Sequence, residues 1–217
     1  MGGADPHPQS GFDHAAGWAK LTDFLSETET SEVAAVCDSF LRLPVAQRWP
    51  RDKVAAGTLH LHELAERSDL IDEIVDRPRL IDVVTTLLGA DFERDEIAYR
   101  NPQPTFGGQM LHADDPPKLD NSPATVATAI VALCDFTTTN GATRIIPGSH
   151  NRPDLQRQSG SLRDHPDQVL LTGAAGTAFV FSGHVMHSGT ENNSSQPRPA
   201  LHLVWRVPPR SGPAARI

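Results

Sequence analysis

The stretch Gly107–Asp114 reads GGQMLHAD and sets an imidazole, His112, two residues before a carboxylate, Asp114. In an extended segment such a pair projects from one face, with Ala113 sent to the other. Two ligands side by side on a strand are most of a non-haem iron site, whose usual form is two histidines and one carboxylate with positions left open. The stretch therefore calls for a β framework and for a third ligand brought from elsewhere in the chain.

The surrounding sequence supplies that framework. Beyond Gly89 come short runs rich in β-branched residues, separated by Pro, Gly and Asn: IAYRN, QMLHA, TVATAIVALCDF, TRIIP, QVLLT, TAFVFS and ALHLVWRV. Before Gly89 the apolar residues recur at helical spacing. Val33, Ala34, Val36, Cys37, Phe40 and Leu41 make one amphipathic helix over 31–41, with Glu27, Glu29 and Glu32 near its positive end. Leu70–Val75 and Leu80–Leu88 make two more, split at Arg77-Pro78 and closed by Gly89. Helices first and about seven strands after them predict a mostly β protein with flanking helices, a sandwich or barrel.

Length and composition agree. The 217 residues suit one domain, and 38% hydrophobic with 21% charged residues describe an ordinary globular chain. We expect a flexible arm over 1–17, a single domain over 18–207 and a loose tail over 208–217, with the polar stretch 115–123 either a lid over the site or an ordinary surface connection. A net charge of −8 without a basic stripe argues against nucleic acid. No apolar run is long enough to span a membrane, and the N-terminus lacks the pattern of a secretory signal, so a cytoplasmic location is expected. Cys37 and Cys134 are expected as reduced thiols.

The His-x-Asp pattern occurs twice, and the second occurrence, His165-Pro-Asp167, is a control: its central proline and polar flanks make it a loop. His60 and His62 in HLHEL are read as surface or hydrogen-bonded side chains, since no third ligand lies nearby at good spacing. GHVMH (183–187) follows the apolar run AFVFS, where a late strand would return beside the early one. Either His184 or His187 could complete the set. His187 is favoured because Arg198 follows at the start of the next apolar run, where a fixed guanidinium would hold a carboxylate bidentately.

His112-x-Asp114, then Asn140-Gly-Ala-Thr-Arg-Ile-Ile-Pro-Gly-Ser-His150, then His187 and Arg198, in this order, resemble the phytanoyl-CoA dioxygenase family of Fe(II)/2-oxoglutarate oxygenases. The resemblance spans roughly Phe24 to Arg206. It implies a double-stranded β-helix (jelly roll), with iron held by His112, Asp114 and His187 and the distal carboxylate of 2-oxoglutarate clamped by Arg198. It also implies a cosubstrate contact from Gln109. The hydroxyl that often follows the distal histidine by two residues is here Gly189, so Thr190, Ser188 or Thr128 is expected to substitute.

Three protein ligands leave room for a chelating keto acid and O2. The implied reaction oxidises, by hydroxylation, a small organic substrate, with succinate and CO2 as co-products. Asp114 argues against halogenation, which needs a small residue there. Desaturation, epoxidation or rearrangement on the same scaffold, and a non-catalytic ligand-binding jelly roll, are the alternatives. The Ala, Arg and Pro bias suggests bacterial natural-product tailoring. Tyr99, Arg100, Phe106, Met110, Arg144 and Trp205 are the candidate substrate contacts.

Overall fold

The computed structural model describes residues 11–54, 57–115, 123–156 and 160–209. Residues 1–10 of the expected arm, 116–122 of the candidate lid and 210–217 of the expected tail lie outside them.

Three helices precede most of the sheet structure: α1 Glu27–Leu41, α2 Asp69–Val75 and α3 Pro78–Leu88. α1 starts earlier than its apolar period indicates because Ser26 and Glu29 form a capping box, each side chain satisfying the other's backbone N–H. Arg77 holds the same carboxylate, and with Ser26 it draws Glu29 down to about 2. The break at Arg77-Pro78 and the stop at Gly89 (φ 83°) fall where the sequence puts them.

Among the described residues nine strands follow the chain as β1 Trp18–Leu21, β2 Thr58–Leu61, β3 Glu93–Pro102, β4 Val126–Ala132, β5 Thr143–Ile145, β6 Val169–Leu170, β7 Ala178–Ser182, β8 His187–Gly189 and β9 Ala200–Arg206. They form two antiparallel sheets, ordered β1-β7-β4-β9-β3-β2 and β6-β5-β8. β1 and β2 are additions to the sequence reading, since four residues each are too few to show a period. The stretch 107–114 is not a full strand either. It runs beside β8 through one bridge, His112 to His187, and a further bond from Gln109 N–H to Gly189 O, while Leu111 pairs on its other side with residues 160 and 161.

The large sheet is covered on both faces, which explains why β4 is buried along its whole length. Its outer face (Ile97, Tyr99, Ala129, Val180, Leu203, Trp205) packs on helix residues such as Val33, Ile74, Leu80 and Val84. Its inner face (Trp18, Ile130, Phe179, Phe181, Ala200) meets Ile145 and Val185 from the small-sheet side. Strand alternation thus corrects two expectations. Tyr99 and Trp205, read as substrate contacts, belong to the helix-side core, and the Tyr99 hydroxyl is bonded by Asn101 Nδ2 at 2.9 Å.

Among the described residues no helix is long and apolar enough to cross a membrane. Cys37 and Cys134 are free thiols.

Candidate metal centre

His112 and His187 face each other across the 107–114 segment and β8. The pairing puts both rings on the side that looks toward the large sheet, with centroids 4.5 Å apart. Asp114, two residues on, shares that face. Its Oδ1 lies 3.8 Å from His112 Nε2 and 3.6 Å from His187 Nε2, and the donor atoms of the three residues all fall within 4.8 Å of one another. Among the described residues no other group of His, Cys, Asp and Glu converges in this way.

Hydrogen bonds orient each donor. His112 Nδ1 lies 2.8 Å from Met110 O, and His187 Nδ1 lies 2.9 Å from Val185 O. A carbonyl only accepts, so each Nδ1 carries the hydrogen and each Nε2 presents its lone pair to the cluster. Asp114 Oδ2 accepts from Thr128 Oγ1 at 2.7 Å, leaving Oδ1 for the centre. Phe181 backs the His187 ring at 4.7 Å, and burial pushes that imidazole below its ordinary value despite the opposing pull of Asp114. Two imidazoles and a carboxylate, each fixed by an outer hydrogen bond, are a fitting donor set for a divalent transition metal.

A cavity of about 130 Å³ opens between the sheets beside this set, lined by Arg100, Gln109, Ile130, Thr143, Gly189, Arg198, Ala200 and His202 along with the three donors. Its size suits a small organic acid better than a large ligand. Arg198 lies at its floor, 5% exposed, with its backbone N–H on Pro102 O and its guanidinium 4.6 Å above the Phe136 ring. Its Nε is buried with no hydrogen-bond partner, and burial lowers its pKa to about 10, still a cation at neutral pH. A buried, uncommitted guanidinium calls for an anion. The residues present therefore fit a keto acid bound between metal and arginine.

Gln109 is doubly tied to Gly189: its N–H donates to Gly189 O at 2.9 Å and its Oε1 accepts Gly189 N–H at 3.0 Å. A Cβ at position 189 would come 2.6 Å from Gly107 O and 3.0 Å from Gln109 Oε1, so glycine is required there. The Gln109 carboxamide occupies the space that a side chain at 189 would take.

The other expected residues separate cleanly. Arg100 lines the cavity. Thr128 binds Asp114 rather than sharing an anion with Arg198. Thr190 Oγ1 donates to Ala142 O at 2.7 Å and does not line this cavity, and Ser188 Oγ accepts from Arg144 Nε at 2.7 Å. Arg144 faces away on the far side of the small sheet, where it also bonds Ser161 O, Arg163 O and Gln168 Oε1. Phe106 and Met110 are 46% and 59% exposed and lie outside the cavity wall. Thr143 and His202, which line it, were not anticipated. Both lie two residues from an inward-facing core residue, Ile145 or Ala200, on the same strand face.

The remaining histidines have other uses. His184 is buried against Asp115, its Nδ1 3.2 Å from Asp115 O, outside the cluster. His62 Nδ1 meets Glu96 at 2.9 Å. His165 sits in a turn, accepting Asp167 N–H on Nδ1. Of the PGSH turn, Gly148 N–H holds Ala16 O, and Ser149 Oγ accepts Met186 N–H, so that segment is architecture.

A jelly roll that carries two histidines and one carboxylate between its sheets defines the class of mononuclear non-haem metal enzymes. The chain belongs to the phytanoyl-CoA dioxygenase (PhyH) family, whose model matches residues 14–200. Among curated relatives it is 25% identical to the ectoine dioxygenase of Nocardia farcinica, over 92% of this chain and 79% of that one. It is 30% identical to the dioxygenase trt7 of Aspergillus terreus, over 67% of this chain and 53% of the other. The chain thus spans about half the length of that fungal relative. Among solved structures, the non-haem α-ketoglutarate-dependent epimerase SnoN from nogalamycin biosynthesis superposes with a TM-score of 0.70 at 19% identity, covering 88% of this chain and 79% of that one. HygX from Streptomyces hygroscopicus, solved with nickel and 2-oxoglutarate bound, gives 0.72 at 15%, covering 93% and 86%. These two likenesses establish the fold.

Proposed function

We propose that the chain is an Fe(II)- and 2-oxoglutarate-dependent dioxygenase that hydroxylates a small organic molecule in the cytoplasm, in natural-product tailoring. The observation that carries this reading is the set of three oriented donors facing an uncommitted buried guanidinium. His112 Nε2, His187 Nε2 and Asp114 Oδ1 would hold the metal, with Thr128 keeping the second carboxylate oxygen away from it. Arg198 would hold the distal carboxylate of the keto acid, and the amide end of Gln109 that Gly189 leaves free would donate into the same space.

Once bound, iron and 2-oxoglutarate supply the activation of O2, coupling decarboxylation of the keto acid to oxygenation of the substrate. The protein's part is placement. Backbone carbonyls of Met110 and Val185 engage Nδ1 of both rings, so that Nε2 is the atom each ring would offer to metal. Ile130 and Ala200 give the cavity wall apolar surface, which strengthens the pairing of Arg198 with an anion.

The test is anaerobic addition of Fe(II) and then 2-oxoglutarate, read as metal-to-ligand charge-transfer absorption, followed by air and assay of succinate. Wild type should give the band and His187→Ala should not. No band in wild type, or an undiminished one in the variant, removes the assignment.

A further inference from the structure

Two guanidinium groups reach the cavity, and they sit at opposite levels of it. Arg198 is at the closed floor with His187, both about 5% exposed. Arg100 is at the open side with His112, their side chains 29% and 36% exposed. Strand β3 aims Arg100 inward, because its register opposite Ala200 puts it on the face that also carries His202. Its surroundings leave it largely unanswered. Nε is buried without a hydrogen-bond partner, and the nearest carboxylate, Glu96, is reached by Nη2 only at 3.5 Å. Glu96 is meanwhile bonded by His62 at 2.9 Å and approached by Arg51. The neighbouring imidazoles of His60 and His202 are both depressed by burial, so neither adds nor cancels charge near neutrality.

Charge balance then discriminates. Among the described residues Asp114 is the single carboxylate in the wall, against Arg100 and Arg198. A divalent metal and a doubly charged keto acid leave these groups with one positive charge in excess, and the cation at the mouth is the one whose anion, Glu96, stands at 3.5 Å and is shared with His62 and Arg51. Resting on the function proposed above, the geometry points to Arg100 as the anchor for an anionic group, a carboxylate, on the primary substrate. The substrate class is a small organic acid that enters after the keto acid, with its anion at Arg100 and its oxidised carbon turned toward the metal.

The same carboxylate chemistry could be claimed by the cosubstrate, and the experiment separates the two. The charge-transfer band is titrated with 2-oxoglutarate in wild type, Arg100→Gln and Arg198→Gln. The fluorine resonance of 4-fluorophenylacetate, and of its uncharged amide, is then followed for broadening by the paramagnetic Fe(II)·2-oxoglutarate protein. Arg100→Gln should keep 2-oxoglutarate affinity within about threefold, whereas Arg198→Gln loses at least tenfold. The acid should broaden well beyond the amide in wild type, at least tenfold more weakly in Arg100→Gln, and with partial recovery in Arg100→Lys. Equal broadening by acid and amide, unchanged broadening in Arg100→Gln, or loss of 2-oxoglutarate affinity in Arg100→Gln matching that in Arg198→Gln would each overturn the assignment. The band in Arg100→Gln reports that the variant is folded; its absence in wild type strikes the underlying function instead, and this inference with it.

Discussion

His112 and His187 exchange both backbone hydrogen bonds, His112 N–H to His187 O at 3.0 Å and His187 N–H to His112 O at 2.7 Å. Residues paired in this way lie directly opposite, so a slip of one residue would send one ring to the far face of the small sheet. Register, more than the identity of nearby side chains, assembles the centre.

Among the described residues Thr128 is the one side chain that hydrogen-bonds a proposed ligand, through Asp114 Oδ2. Thr128→Val keeps the shape and removes the bond, and should weaken Fe(II) binding by roughly 10- to 100-fold. Metal titration at constant 2-oxoglutarate measures it. Wild-type affinity in the variant would show that Asp114 is held by other means.

Arg198→Gln should leave Fe(II) stoichiometry intact and weaken 2-oxoglutarate by about 10- to 100-fold, the worth of a charge-assisted pair in a dry cavity. The band's dependence on keto-acid concentration reads this directly. An equal dissociation constant would place the clamp elsewhere.

Arg144 should behave in the opposite way. Its guanidinium joins Ser188 to the backbone at 161 and 163, so Arg144→Met leaves buried acceptors unsatisfied and should cost about 3 kcal/mol in urea unfolding. Once folded, the variant should still bind iron and keto acid. Loss of either at full stability would give Arg144 a place in the site.

Burial, and then Arg100, push His60 down to about 4. An unfolded chain, with the ordinary value near 6.5, takes up a proton that the folded protein refuses, so this group's contribution to stability is complete above pH 6.5 and is lost as pH falls toward 4. His60→Asn should lose less stability than wild type between pH 7.5 and 5 in parallel urea titrations. Identical losses would remove His60 as a cause.

The sequence carried the architecture where period and order were strong. The helices around Pro78, the late strands and the ordered set from His112 to Arg198 were readable because a helix stripe spans several turns and a ligand pair needs only a period of two. Which way a strand residue points was harder. Tyr99 and Arg100 are neighbours, yet one is core and the other lines the cavity, and only the pairing of β3 with β9 decides between them. Arg144 and Thr143 divide in the same manner on β5. β4 hid its alternation because helices cover one face and the small sheet the other. Gly189 was noticed as a missing hydroxyl, while its cause, the Gln109 carboxamide and the Gly107 carbonyl filling that space, lies 80 residues away along the chain and leaves no local trace.

The two rings take their orientation from carbonyls two positions upstream on their own segments, Met110 for His112 and Val185 for His187. A backbone oxygen cannot be mutated away. The proposed ligand set is therefore a nearly self-sufficient cassette, two short paired segments plus one threonine, that a designer could transplant into another antiparallel scaffold of the same register without copying the jelly roll around it.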